Sequence, residues 1–403
     1  MNIWLVNHYA IPPQQAGGTR HYTLARELVA RGHQVTIIAS SFDHTTRREE
    51  HLSSGETARV ESVDGVKFLW LRTPPYKGNS AQRLWNTIVF ARRVLAVRPE
   101  SVGGKPDVVL GSSPHLFAAW AAERLARRFG VPFVMEVRDL WPQSLVDLGN
   151  FSAGHPFIRA LESLEKWLYR RAKRIVTLLP GAGEHIAEKG GDPKSIVWIP
   201  NGIDVASLPS PKPPAEKETF DLMYAGTHGL ANGLQVILQA AEKLKDLPIR
   251  FRLVGDGPDK PRLEEMARSM KLQNVVFEPP VPKNQVHSLL QEADAFLMVL
   301  RDSPVFRWGV SPNKLFDYMA AARPVIFSVN TPLNPVAEAG AGITVPAEDA
   351  DSLAEAAVRL SAISSADRWQ MGLRGRKYVE ENHDLGRLAG KLEAVLRDAV
   401  NDS

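Results

Sequence analysis

Apolar residues along this chain fall into two alternating spacings. Short continuous apolar runs at 3–6, 35–39, 66–71, 108–111, 132–137, 175–179 and 196–199 read as strands. Between them, residues 19–31, 81–96, 116–129 and 157–172 carry apolar positions at helical spacing, with Arg31-Gly32-His33 as a turn. Strand, helix, strand in that order implies parallel pairing, so residues 1–202 predict one doubly wound α/β domain. The pattern then stops. Residues 203–219 contain Pro209, Pro211, Pro213 and Pro214 among alternating charges, a composition that neither pairs as a strand nor continues a helix, and they read as a linker. The alternation resumes with strands at 222–225, 251–254, 275–277 and 295–300 and helices at 234–244 and 262–271, predicting a second α/β domain over 220–375. From residue 350 the chain reads as helical, with Trp369 and Tyr378 at apolar positions of a long pattern ending near Val400.

Composition narrows the class. A chain of 403 residues with 44% hydrophobic and 23% charged content can bury more than one core. It has no cysteine, which excludes disulfides and thiolate metal sites. Its start reads as a strand and not as a leader, giving the expectation of a cytoplasmic protein. No apolar run approaches the roughly 20 residues that cross a bilayer. The net charge of +4 fits an anionic substrate or a membrane surface, and equally a solvated exterior. No nucleic-acid partner is expected.

The most informative stretch is 311–325, SPNKLFDYMAAARPV, which follows the strand at 295–300. Asn313 is expected to cap a helix whose first turn carries Lys314 and whose next carries Asp317. Unpaired N–H groups, the positive dipole end and a lysine together suit a diphosphate, and Asp317 on nearly the same face can accept from sugar hydroxyls. A capped core helix with an i,i+3 ion pair fits the same residues.

Other candidates sit where strands end. Residues 12–19, PPQQAGGT, place Gly17 and Gly18 between the first strand and first helix, where backbone can approach a ligand; a flexible turn is the alternative. Arg20 and His21 open the following helix and can point to the same edge or to solvent. GSSPH at 111–115 offers His115 at a strand end, either to a sugar or to a local helix-start bond. EVRDLWP at 136–142 puts Glu136, Arg138 and Asp139 at another strand end, with a satisfied ion pair as the alternative. In YAGTHGLANGL at 224–234, Gly226, His228 and backbone N–H groups can meet phosphate, with Arg301 and Arg307 as helpers.

The helix followed by Arg323-Pro324-Val325-Ile326 is similar to the donor-binding segment of retaining GT-B glycosyltransferases of family 4. It resembles most the bacterial branch described around colanic acid and fucosamine transfer, whose segment reads P-S-K-L-x-E-Y-x-A-A-G-x-P-V. Here Asn313 replaces Ser, Asp317 replaces Glu and Ala322 replaces Gly, and Gly309 stands where the wider family has a second glutamate. IPNGID at 199–204 and VGDGP at 254–258 also match recurrent family segments. Many relatives carry an arginine and a lysine for the diphosphate where this chain has Leu230 and Asn232; Ser112, not His115, matches the position of the family's functional histidine.

The resemblance implies a GT-B fold, with two Rossmann-like doubly wound domains facing a central cleft and C-terminal helices, 376–403, crossing back to the first domain. It implies metal-independent transfer from a nucleotide-diphosphate sugar, expected to be UDP-linked, to a lipid-linked or oligosaccharide acceptor. Lys314, Asp317, His115 and Asp139 become the catalytic candidates, and Gly17, Gly18, Gly226, His228, Asn313, Lys314 and Asp317 the donor-binding ones. A lipid-linked acceptor would also make the basic stretch 81–98 a helix lying on the inner membrane face, although an ordinary domain helix gives the same periodicity. A UDP-sugar 2-epimerase shares the two-domain fold, and a non-catalytic nucleotide-sugar-binding partner of a polysaccharide assembly system would share the site.

Overall fold

Asp64-Gly65 turns the chain between two strands at one edge of the first sheet, both residues at positive φ, 49° and 80°. In this computed structural model, which describes every residue except Ala16, Asn79, Ser80, Asn150, Glu216 and Ser403, that sheet contains β1 (Asn2–Val6), β2 (Gln34–Ser40), β3 (Ala58–Val63), β4 (Val66–Leu71), β5 (Val108–Ser112), β6 (Phe133–Val137), β7 (Arg174–Thr177) and β8 (Ile196–Trp198). Their order is β3-β4-β2-β1-β5-β6-β7-β8, parallel throughout except for the β3–β4 hairpin. Strand β3 escapes the apolar pattern because it is an exposed edge. Strands β5 and β6 are buried at every residue, which is why they read as unbroken apolar runs.

The chain divides into two units, Met1–Asn201 with Leu385–Ser403, and Gly202–Asp384. The second unit holds a parallel sheet of β9 (Phe220–Ala225), β10 (Ile249–Val254), β11 (Val275–Glu278), β12 (Ala295–Val299), β13 (Val325–Ser328) and β14 (Gly342–Val345), ordered β11-β10-β9-β12-β13-β14. Each sheet reverses its winding once, at β1/β5 in the first and β9/β12 in the second, and an open α/β sheet has its ligand crevice at the carboxyl edge of that point.

Two boundaries differ from the sequence expectation. The proline-rich stretch is fastened to the second unit: the buried Arg323 donates to Lys212 O, Gln291 O and Ala293 O at 2.7–2.9 Å, and Lys212 N donates to Gln291 Oε1 at 3.2 Å. It is a strap held by hydrogen bonds, although Glu216 within it lies outside the described residues, as does Ala16 in the glycine loop. The return to the first unit begins at Leu385, not 376, because the helix Ser365–Asn382 stays with the second. The last helix, Leu385–Asn401, buries Leu388, Leu392 and Leu396 in the first unit's core with Leu24 and Leu28, each such side chain contributing about 1.5–3 kcal/mol. Arg31 Nη2 donates to Gly386 O at 2.8 Å and His33 meets Glu393 at 2.9 Å, fixing its register.

Candidate active site

In the second unit, β9 and β12 pair only through Leu222–Ala295 and Met223–Phe296 and then part. The backbone of Ala225 is left facing the gap. Tyr318 fills it: its hydroxyl donates to Ala225 O and accepts from Ala225 N, both at 2.8 Å, while its ring stacks on Phe296 at 4.3 Å. The helix Asn313–Ala320 is thereby pinned to the end of β9, and Lys314, one turn before Tyr318 on the same face, is carried to the crevice.

Lys314 Nζ donates to the Tyr224 hydroxyl at 2.7 Å and to Asn232 Oδ1 at 2.9 Å, and lies 4.6 Å from the Tyr224 ring centre. Tyr224 OH and Asn232 Nδ2 both donate to Thr227 O, at 2.7 and 2.9 Å, so the two residues that hold the ammonium are themselves held. Burial brings the Lys314 pKa down to about 8. Gly226, at φ 154°, has its missing Cβ position 3.5 Å from Nζ, and its carbonyl would be struck at 2.1 Å by any Cβ on Gly255. Glycine at 255 is what lets the β9 and β10 loops close together here.

Asp317 is partly buried. Burial pushes its pKa up to about 7, with Lys283 pulling the other way. Asn313 is exposed and is the first helical residue; Pro312 occupies the cap position and no side chain caps the helix. The expected Asn313 cap is therefore corrected. His228 has a buried ring whose two nitrogens meet no hydrogen-bond partner among the described residues, while its backbone N–H donates to Asp256 O at 2.8 Å and its carbonyl accepts from Asp259 N at 3.0 Å. It braces the β9 loop against the β10 loop.

The first unit gathers a different set. Arg20 and His21, which sequence left open to solvent, are buried on Glu136: Arg20 Nε to Oε1 at 2.9 Å, His21 Nε2 to Oε2 at 2.7 Å, and Ser112 Oγ donating to Oε2 at 2.6 Å. Arg20 also donates to Ile199 O at 2.8 Å and to Pro200 O. Burial opposes ionisation of Glu136, but Arg20, His21 and Ser112 outweigh it and hold the carboxyl well below its usual range. Glu136 is thus an anchor for the first unit's final strand exit, a role invisible in local sequence.

His115 caps the helix Leu116–Phe129, its Nδ1 accepting from Ala118 N at 3.3 Å, while Nε2 lies 2.8 Å from His8 Nδ1. An Nδ1 that accepts requires the proton on Nε2, so His115 donates to His8. Burial, then Arg83, takes its pKa down to about 3. The direct catalytic role expected of His115 is corrected to a neutral cap sealed from solvent. Asp139 stands exposed at the end of β6; desolvation pushes its carboxyl pKa up while Arg138 pulls it down, and solvent access discounts the upward shift. Gly17 and Gly18 are exposed after β1, with Gly17 at φ 137°. Structure thus brings together Lys314 and Gly226, with Asp317 one turn further along the same helix. Tyr224 and Tyr318 were missed in the sequence because each reads as a core aromatic.

Residues 16–202 match the glycosyl transferase 4-like domain, and residues 219–362 match the group 1 glycosyl transferases. The chain is a family 4 glycosyltransferase. It is 26% identical over 393 residues to the protein named as the colanic acid biosynthesis glycosyl transferase WcaI of Escherichia coli strain K12, covering 93% of each chain. Among solved structures, sucrose-phosphate synthase from Thermosynechococcus elongatus shares the fold at TM-score 0.77 and 18% identity, with full coverage of both chains. Anabaena HepE in complex with UDP does so at TM-score 0.69 and 13% identity, covering 99% of this chain and 100% of that one. Both sheets are those of the GT-B fold, and the transferase places its lysine at the switch point of the second.

Proposed function

We propose that this transferase moves a hexosyl or N-acetylhexosaminyl group from a UDP-sugar to a lipid-linked or oligosaccharide acceptor, with retention and without a metal, in bacterial surface polysaccharide synthesis. The observation that carries the reading is the Lys314 ammonium, fixed by Tyr224 and Asn232 at the carboxyl edge of β9. The hard step is loss of the diphosphate, and a preorganised cation in a partly desolvated site stabilises the charge that grows there. The anomeric carbon–oxygen bond to the diphosphate breaks, the acceptor oxygen bonds the same face, and the acceptor proton passes to the leaving phosphate. Asp317 is suited to a sugar or ribose hydroxyl. The UDP complex of the structurally similar HepE supports the choice of nucleotide, and the name of the similar WcaI supports the choice of process.

The helix Ala81–Leu95 supports a lipid-linked acceptor. Its core face is Asn86, Thr87, Phe90, Ala91 and Val94, leaving Leu84 and Trp85 exposed at 38% and 51% and Ile88 and Val89 half-buried. Arg83, Arg92 and Arg93 lie on this helix, which has no acidic residue, and Arg98 follows it. That combination suits an anionic bilayer surface.

A panel of nucleotide sugars incubated with a crude polyprenyl-diphosphate acceptor extract tests the reading, with the anomeric configuration of the product read by proton NMR. Retained transfer from a UDP-sugar is expected. Inversion, or a donor-only product epimerised at C2, would refute it.

A further inference from the structure

At the amino edge of the second sheet, opposite the edge that carries Lys314, lies a cavity of about 360 Å³. Its walls are the last residues of the proline strap, Phe220 where β9 begins, Asp294 just before β12, and the turn between the helices Ala350–Ala362 and Ser365–Asn382. A cavity of this size falls within the roughly 300–1,000 Å³ of small-molecule sites. All of it belongs to the second unit. Strand β9 runs from Phe220 to the Tyr224 that holds Lys314, so one strand joins the cavity to the lysine crevice.

Arg368 in the cavity wall is only half satisfied. Its Nη1 donates to Leu360 O and Ser361 O, at 3.1 and 3.3 Å, and to Ile363 O, tying down the end of the helix Ala350–Ala362. Its guanidinium carbon lies 4.9 Å from the centre of the buried Phe220 ring. Nε, by contrast, is buried and has no hydrogen-bond partner among the described residues. Buried donors in folded proteins are nearly always paired, so an unpaired one in a cavity wall marks a place for an acceptor. The acids nearby are already taken. Asp221 is gripped by Arg250 at 2.7 and 2.8 Å and by Lys217 at 3.2 Å, while Asp294 Oδ2 accepts from Asp221 N at 2.8 Å and lies 3.5 Å from Lys217 Nζ. Those two carboxylates face Lys217, Arg250 and Arg368, which leaves an excess of positive charge; Glu218, at the rim, is exposed and its charge is screened by solvent. Thr219 and Ser365 add hydroxyl groups to the same wall.

We propose that this cavity binds a monosaccharide bearing one oxyanion, a sugar phosphate or a sugar acid, with Arg368 taking the oxyanion and Thr219, Ser365 and Glu218 meeting the sugar hydroxyls. With Nη1 tied to carbonyls and the guanidinium laid on Phe220, the Nε and Nη2 edge is a fork set in advance for two oxygens of one anion. The hydroxyls and the rim carboxylate separate a sugar from a bare anion. This site is distinct from the donor and acceptor positions of the transfer reaction and stands without them.

Titration calorimetry of the full chain with glucose 6-phosphate and with glucuronate tests it. Wild type is expected to bind at least one of them, equally well with and without saturating UDP, and the tighter of the two identifies the anion. Arg368→Lys, which keeps the charge but loses the fork, should weaken that binding about tenfold or more. Ser365→Phe, which leaves Arg368 in place and fills the cavity, should do the same with its urea midpoint unchanged. Lys314→Ala should bind the probe like wild type. Glucose, which lacks the oxyanion, and inorganic phosphate, which lacks the hydroxyls, should each bind about tenfold more weakly or worse. Failure of both probes to bind wild type overturns the proposal, and so does undiminished binding by folded Arg368→Lys or Ser365→Phe. Competition by UDP, or loss of binding in Lys314→Ala, would put the probe in the lysine crevice and overturn it as well. Glucose or inorganic phosphate binding as tightly as the probe overturns the assignment of ligand class.

Discussion

Lys314 Nζ sits 2.7 Å from the Tyr224 hydroxyl and 4.6 Å from the centre of that ring, bonded to the edge of the phenol and attracted by its face. An ammonium held by two neutral oxygens and a π-cloud keeps its charge without a carboxylate to cancel it, so it retains full attraction for an arriving diphosphate. Lys314→Ala should lower kcat by roughly 10²–10³, about 3–4 kcal/mol of transition-state stabilisation, without loss of fold. Tyr224→Phe, which removes only the hydroxyl, should cost about tenfold. Steady-state kinetics with matched dichroism spectra check both.

The same lysine sets a pH limit. With a folded pKa of about 8, its ammonium is lost as pH rises from 7.5 to 9.5, and nucleotide affinity should fall by up to about tenfold per pH unit above the pKa. Calorimetric titration of UDP across that range should show the decline in wild type, with proton uptake on binding. Lys314→Met should bind weakly with no such slope.

Asp317 carries a stability signature of opposite origin. Its folded pKa, about 7, lies above the usual carboxylate value of 3.8, so the native state binds the extra proton between them. The stability this group contributes is full below the unfolded value and is lost as pH rises through about 7. Asp317→Asn should therefore gain on wild type by roughly 2 kcal/mol between pH 5 and pH 8 in urea unfolding. A constant difference across that range would refute the shift.

Glu136 anchors rather than catalyses. Arg20→Ala strands a buried carboxylate and releases the carbonyls of Ile199 and Pro200, so a loss of about 3–5 kcal/mol in the first unit is expected from guanidinium unfolding. Asp139→Asn, at an exposed carboxyl, should leave that midpoint unchanged.

Gly309 holds φ 95° and ψ 179°, a region that residues with a Cβ avoid. The family glutamate at this position is thus excluded by backbone geometry here. Gly309→Glu should destabilise the second unit by about 1–3 kcal/mol and bring no gain in turnover.

Vesicle co-sedimentation checks the helix Ala81–Leu95. Wild type should pellet with anionic and not with neutral vesicles, and Trp85→Ser with Arg92→Glu should weaken that binding about tenfold by removing one apolar insert and reversing one charge.

Much of this architecture was legible in the chain itself. Strands such as β5 and β6 show as unbroken apolar runs because both faces are buried, a property each residue carries locally. Lys314 and Asp317 were legible as candidates from the helix they open and Gly226 from the strand end it follows. What the tertiary structure decided is how those groups are held. Tyr318 reads as a core aromatic until β9 and β12 are seen to part beside it, and His115 reads as a free catalyst until Ala118 and His8 are found on its two nitrogens. Arg20 and Glu136 stand 116 residues apart, and the proline strap meets Arg323 across 111. Hydropathy period reports which way a side chain faces; its partner is set by which strands become neighbours, and that order exists only once the sheet has formed.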